Sequence, residues 1–208
     1  MIAVVNYGGG NLGSLISALE RRRVSFVATG DPGAIASCDA AILPGDGAFA
    51  AIMRALAERR LDSTVRDFVE SGKPLLGICV GMQVLFERGE EHESCAGFGY
   101  FPGVITRFEH APRVPHMGWN QLEIVGTHPF VAGVENGEYV YFLHSFRAPV
   151  GAMTQAATTY GERFASIVAR GNVMGTQFHP EKSQATGAKL LDNFIGLATR
   201  EQRRAQAL

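Results

Sequence analysis

The chain has 208 residues, of which 46% are hydrophobic and 19% charged, with a formal net charge of −1. This length suits a single domain, residues 1–208, with a substantial core. The balance excludes a basic nucleic-acid surface, no apolar run reaches the length of a membrane span, and three scattered cysteines cannot make a disulfide framework or a Cys-x-x-Cys zinc site.

Met1-Ile2-Ala3-Val4-Val5 enters a strand directly, with no basic leader or cleavage site, which points to a cytoplasmic protein. Asn6-Tyr7-Gly8-Gly9-Gly10-Asn11 follows, and Leu12, Leu15, Ile16 and Leu19 then fall at helical spacing. The glycines do not keep the Gly-x-Gly-x-x-Gly order of a dinucleotide cradle, so a tight turn is the simpler reading. Arg21-Arg22-Arg23 reads as a solvated helix end. Val24–Ala28 is the second expected strand, and Asp31-Pro32-Gly33 a turn. Ala40–Leu43 is a third, buried strand ending in Pro44-Gly45-Asp46-Gly47. A helix from about Ala48 turns Ile52, Met53 and Leu56 inward. A second helix covers about Leu61–Glu70 and stops at Ser71-Gly72.

Pro74–Ile78 is a short apolar strand, and Gly77-Ile78-Cys79-Val80-Gly81-Met82-Gln83 places a cysteine between two glycines where an amphipathic helical run (Val84, Leu85, Phe86) is expected. A nucleophile on a strand-to-helix turn needs such glycines, because a Cβ two residues to either side crowds the neighbouring strand and helix. A helix starting behind the cysteine favours a thiolate and an oxyanion. A lone buried cysteine is the competing reading. Strands alternating with helices to residue 88 predict an α/β fold with a doubly wound, mostly parallel sheet, whose ligands bind at the carboxyl ends of the strands. The loops at Gly8–Asn11, Gly45–Gly47 and Cys79 all leave such ends.

The pattern changes after Glu91. Val104–Phe108, Asn120–Val125, Tyr139–Leu143, Thr154–Tyr160, Arg163–Ala169 and Val173–Phe178 read as strands with short turns, an antiparallel or mixed C-terminal extension of the same sheet or a layer beside it. Gly187–Arg200 reads as a closing helix with a frayed polar tail. At the end of the last strand stands Gln177-Phe178-His179-Pro180-Glu181-Lys182-Ser183. In extended chain His179 and Glu181 point to one face, roughly 7 Å apart along the backbone. Pro180 favours that extended form, so a carboxylate can hold the imidazole while its other nitrogen faces a nucleophile. A surface His and Glu at a strand end is the plainer alternative. The remaining histidines show no metal spacing, and no metal or cofactor is called for.

The motifs around Cys79 and His179-Pro180-Glu181 resemble those of the class I, triad-type glutamine amidotransferases, which have a flavodoxin-like fold. Within that class, Asn6–Asn11, Leu43–Phe49, Pro115-His116-Met117-Gly118-Trp119-Asn120, Tyr141–Phe146 and His179–Ser183 resemble the glutaminase-subunit family of imidazole glycerol phosphate synthase, an enzyme of histidine biosynthesis. The likeness runs from Ile2 to about Phe194. It implies Cys79 as nucleophile on the amide of glutamine, His179 as proton carrier and Glu181 as its orienter, with a γ-glutamyl thioester hydrolysed to glutamate. It implies an oxyanion held by the Val80 N–H and by one N–H of Gly45-Asp46-Gly47, which must turn a peptide toward the site. Gln83, Glu91, Ser145 and Phe146 would line the glutamine pocket. Ammonia would pass to a separate (β/α)8 cyclase subunit, which 208 residues cannot also contain, with Asn11, Trp119, Tyr141 and Lys182 facing it. The subfamily usually carries valine where this chain has Asp46. A carboxylate beside an oxyanion opposes its formation, so the Asp46 side chain is expected to point away from Cys79. Another class I amidotransferase, a γ-glutamyl hydrolase relative, and a catalytically silent regulatory subunit are the competing functions.

Overall fold

Ile2–Val5 (β1) is buried at every position, as is Ala40–Leu43 (β3), Leu75–Ile78 (β4) and Val173–Thr176 (β14). Strands that are apolar on both faces need cover on both faces, and they form the middle of an eight-stranded sheet ordered β2-β1-β3-β4-β14-β13-β12-β9. The structure, a computed structural model, describes residues 1–10 and 12–205, with side chains as far as Thr199.

The first five strands of that order, including β2 (Phe26–Thr29), run parallel. Counted along the order, this is the 2-1-3-4-5 arrangement of flavodoxin-like folds. The helices between them are α1 (Gly13–Arg21), α2 (Pro32–Ser37), α3 (Phe49–Glu58) and α4 (Leu61–Glu70). Beyond β14 the sheet turns antiparallel through β13 (Glu162–Arg170), β12 (Thr154–Tyr160) and the short β9 (Glu123–Ile124). The second half of the chain therefore does both things expected of it. It extends the main sheet, and it also packs beside it as two small sheets. One is β5 (Phe86–Glu90), β6 (Ser94–Ala96), β7 (Phe101–Arg107) and β11 (Phe146–Arg147); the other is the antiparallel pair β8 (His116–Gln121) and β10 (Tyr139–His144). The helix α6 (Gln184–Ala205) closes the chain. No helix among the described residues is long and apolar enough to cross a membrane.

Several elements depart from their expected form. Asp31-Pro32-Gly33 is not a free turn but the start of α2: Asp31 Oδ1 accepts from the Ala34 N–H at 2.6 Å, and Pro32 sits where its missing N–H costs nothing. β2 begins two residues later than expected because Phe26 is the residue in register with Ile2. The helix behind Cys79, α5, is a single turn, Val80–Gln83. Val84, Leu85 and Phe86 are all buried, which no amphipathic surface helix allows, and Phe86 instead opens β5 opposite Phe101. Asn120–Val125 is two strands, because Leu122 leaves β8 to bond its N–H to the Glu138 carbonyl. Strand β14 stops at Thr176, short of Phe178, and α6 starts at Gln184 and continues past Arg200 to Ala205.

Because β1, β3, β4 and β14 are parallel, their carboxyl ends share one edge. The turns at Tyr7, Gly45, Cys79 and His179 leave from that edge, the last two from adjacent strands.

Candidate active site

Cys79 sits at φ 56°, ψ −115°, a left-handed conformation that costs a non-glycine residue of order 1–3 kcal/mol. The surroundings hold it there. The Cys79 N–H donates to the Thr176 carbonyl at 2.8 Å, and the next turn folds straight back toward β3. At that crossing a Cβ on Gly81 would overlap the Leu43 carbonyl, and one on Gly77 would overlap the Gly81 carbonyl. The glycines are thus required by backbone-to-backbone approach. Since α5 is only one turn long, it offers Cys79 a small dipole, less than the longer helix expected.

The His179 ring lies on the neighbouring strand end, with a side chain 8% exposed. Its Nδ1 is 2.9 Å from Glu181 Oε1, and its electrostatic environment includes a hydrogen bond with Cys79. Burial pushes the His179 pKa down, but the hydrogen bonds and charges of Cys79 and Glu181 outweigh it and raise the pKa to about 10. His179 therefore carries its proton at neutral pH. The other Glu181 oxygen, Oε2, is buried and has no hydrogen-bond partner. His179 is also tied to β10: its N–H donates to the Tyr141 carbonyl, and the Ser183 hydroxyl donates to the His179 carbonyl at 2.7 Å while accepting from the Tyr141 N–H at 3.0 Å.

Cys79, Val80 and His179 open into one cavity of about 490 Å³, which Asp46, Gly47, Gln83, Glu91, Ser145, Phe146 and Lys182 also line. Glu181 lies behind His179 and does not line it. Asp46 is exposed at the cavity lip. Glu91 Oε2 accepts from the Phe49 N–H at 2.8 Å, so the first turn of α3 orients this carboxylate in the wall. Gln83 is buried, and its amide nitrogen donates to the Phe146 carbonyl and to Gln177 Oε1, each at 3.0 Å. It braces the wall as much as it faces the space. Lys182, expected toward a partner, also borders the cavity. Asn11 lies outside the described residues.

The Val80 N–H, the first expected oxyanion donor, is already occupied. It donates to the Gly45 carbonyl at 3.3 Å. Cys79, His179 and Glu181 are thus brought together, while the Val80 N–H is turned to the Gly45 carbonyl.

Several neighbours carried too little sequence signal to be assigned. Gln177 Nε2 lies 3.9 Å from Cys79 Sγ, and Cys79 Sγ lies 3.8 Å from the Leu143 carbonyl. Only strand alternation into the site could have marked Gln177. His116 and His144 form a buried pair, Nδ1 to Nε2 at 3.1 Å, with His144 Nδ1 on the Phe146 carbonyl at 2.8 Å. Burial lowers His116 to about 4 and His144 to about 3, so both are neutral at pH 7. On the outer face of β8 and β10, Met117 pairs with Leu143 and Trp119 with Tyr141. Met117 is 61% exposed, Trp119 46%, Tyr139 54% and Leu143 40%, a contiguous apolar patch beside the cavity.

A description of the family "Glutamine amidotransferase class-I" matches residues 4–197. Imidazole glycerol phosphate synthase subunit HisH of Bacillus cereus is 42% identical over 198 residues, 95% of each chain, and that of Bacillus mycoides matches to the same extent. Among solved structures, a glutamine amidotransferase superposes with a TM-score of 0.74 over 95% of this chain and 98% of its own at 22% identity. PurLQS from Thermotoga maritima follows at 0.72, over 94% and 97%, also at 22% identity. At that identity the two structures establish the fold alone.

Proposed function

The chain belongs to the glutamine amidotransferase class-I family, and on that premise we propose that it hydrolyses L-glutamine to L-glutamate and ammonia and passes the ammonia to a separate (β/α)8 cyclase, as the glutaminase half of an imidazole glycerol phosphate synthase in histidine biosynthesis. The observation that carries the chemistry is Cys79 on a strained turn with a protonated His179, itself braced by Glu181, on the adjacent strand. The likeness to HisH subunits carries the pathway.

In this mechanism Cys79 Sγ attacks the side-chain amide carbon of glutamine. The C–N bond breaks as His179 gives its proton to the leaving nitrogen, and ammonia departs. Water then adds to the γ-glutamyl thioester, His179 takes its proton, and glutamate leaves with Cys79 restored. Glu181 holds Nδ1 so that Nε2 serves Cys79. Gln83, Glu91, Ser145 and Phe146 form the glutamine pocket, with the Glu91 carboxylate suited to the substrate ammonium.

The oxyanion of each tetrahedral intermediate needs the Val80 N–H and the Asp46 N–H. Both become available when the Gly45–Asp46 peptide turns over, freeing Val80 from the Gly45 carbonyl. One such donor is worth about 2.7–4 kcal/mol of barrier, so this single peptide can hold turnover low until a partner binds. The patch of Met117, Trp119, Tyr139 and Leu143, with half-buried Tyr141 against Trp119, suits a partner surface, and Trp119 is an anchor of the kind enriched at binding hot spots. Tyr141 reaches His179 through main-chain bonds, which gives docking a short route to the site. A cytoplasmic setting keeps the Cys79 thiol reduced.

The test is a glutaminase assay of the full chain, alone and with a cognate cyclase, with and without the cyclase's nucleotide substrate. Turnover that rises at least tenfold with the cyclase is expected. A chain fully active alone, or unmoved by any cyclase, overturns the synthase assignment.

A further inference from the structure

Tyr7 lies two residues beyond the end of β1, beside the Gly45–Asp46 turn. Its side chain is 3% exposed, and its hydroxyl is buried with no hydrogen-bond partner. A buried donor without an acceptor is costly and calls for an explanation. The hydroxyl does feel its surroundings. Burial raises the Tyr7 pKa; the Asp46 main-chain N–H lowers it, and the charges of Asp46 and Cys79 raise it. The phenol oxygen therefore lies on the Asp46 N–H side of that turn, at a geometry short of a full hydrogen bond.

The peptide plane explains this placement. In a trans peptide the C=O and the N–H point in opposite directions. The Gly45 carbonyl points at the Val80 N–H. The Asp46 N–H of the same peptide must then point away from Val80, toward Tyr7. If the peptide turns over, the two ends exchange places. Asp46 N–H enters the oxyanion site, and the Gly45 carbonyl arrives on the Tyr7 side.

We propose that the Tyr7 hydroxyl is the receiving partner of this turn: unpaired in the closed form, it donates to the Gly45 carbonyl in the open one. The proposal rests on the oxyanion reading given under the proposed function. A hydroxyl suits the role because it can face an N–H or a C=O. The open form relieves two buried groups together, the Tyr7 O–H and a Gly45 carbonyl that has left Val80. Gly47, at φ +105° with open space where a Cβ would stand, gives the strand room to follow. Tyr7 touches no substrate atom in this scheme. It is a positioning residue that biases one peptide.

The experiment uses the full chain with its cyclase and compares wild type, Tyr7→Phe and Asp46→Pro. Phenylalanine keeps the ring and removes only the receiving group. The kcat of Tyr7→Phe is expected to fall about tenfold with KM within about twofold. Cys79 alkylation by iodoacetamide, a displacement that forms no oxyanion, is expected at the wild-type rate. An unchanged kcat overturns the proposal. So does a fall in kcat matched by an equal fall in alkylation, which assigns the effect to the thiol. Asp46→Pro removes the N–H donor itself and is expected to lower kcat about 10²–10³-fold with alkylation retained. Asp46→Pro at wild-type kcat overturns the oxyanion reading, whatever Tyr7→Phe does. Asp46→Pro impaired with Tyr7→Phe unaffected overturns the Tyr7 role alone.

Discussion

The two walls of the active-site cavity are built on different principles. On one wall, Cys79, His179 and Glu181 are set by steric interlock and side-chain hydrogen bonds: glycine-on-backbone contacts at Gly77 and Gly81, and the 2.9 Å His179–Glu181 bond. On the other wall, the Gly45 carbonyl accepts the Val80 N–H at 3.3 Å and Gly45 packs on the Val80–Gly81 backbone, while Gly47 has open space where a Cβ would stand. The first wall cannot change without unpacking β3, β4 and β14. In the proposed mechanism the second changes by rotating one peptide. Reactivity built into packing is permanent, and reactivity that waits on one backbone bond can be regulated.

Variants on the first wall are expected to fail with and without a partner. Cys79→Ala is the largest: turnover falls by about 10⁶ and no γ-glutamyl adduct appears by intact mass. Residual adduct in this variant would remove Cys79 from the chemistry. Next is Glu181→Gln, expected to cost about 10²–10⁴ in kcat, by analogy with other orienting carboxylates. It also carries a pH signature. Glu181 helps to hold the His179 pKa up, so its loss moves the alkaline limb of kcat/KM to lower pH. An unmoved limb would mean that Glu181 does not act through His179.

Variants away from that wall test the switch. Trp119→Ala is expected to weaken cyclase binding about tenfold or more by titration calorimetry, while iodoacetamide alkylation of Cys79 stays unchanged. Equal binding by the variant would move the partner elsewhere. Asp46→Val is expected to give the smallest effect on activity, within about threefold, because an exposed charge is well screened. A basal gain above tenfold would show instead that the carboxylate restrains the hole.

Stability separates the two kinds of histidine by sign. His179 has a raised folded pKa, so its contribution is fully present below about 6.5 and is lost as pH rises through about 10. His116 and His144 have lowered folded pKa values. Between about 6.5 and 4 the unfolded chain binds protons that the folded pair refuses, so stability falls on acidification across that window. The melting temperature of His144→Asn is expected to fall less steeply than wild type from pH 6.5 to 4. Parallel slopes would show that other groups govern the acid limb.

Much of this was legible in the chain. Three apolar runs, Ile2–Val5, Ala40–Leu43 and Pro74–Ile78, read as buried strands, and glycine two residues to each side of Cys79 favoured a tight turn; Val173–Phe178, expected in the antiparallel or mixed half, instead supplies the parallel strand beside β4. The offset of His179 and Glu181 across Pro180 put an imidazole and a carboxylate on one face, which the 2.9 Å contact bears out, while their roles came from the family resemblance. What failed were elements whose form is set by distant partners. Phe86 looked helical beside Cys79 and became a strand because Phe101 pairs with it. The Asp31 turn became a helix start, and Trp119 joined a strand whose partner lies about twenty residues on.

The sequence by itself determined which groups could do chemistry, because residue type and short-range spacing decide that. Tertiary structure alone decided whether those groups were ready. The direction of the Gly45–Asp46 peptide, the occupied Val80 N–H and the unpaired Tyr7 hydroxyl depend on how β1, β3 and β4 end side by side. A peptide plane can face either way with the same residues attached, so no pattern of letters records its orientation.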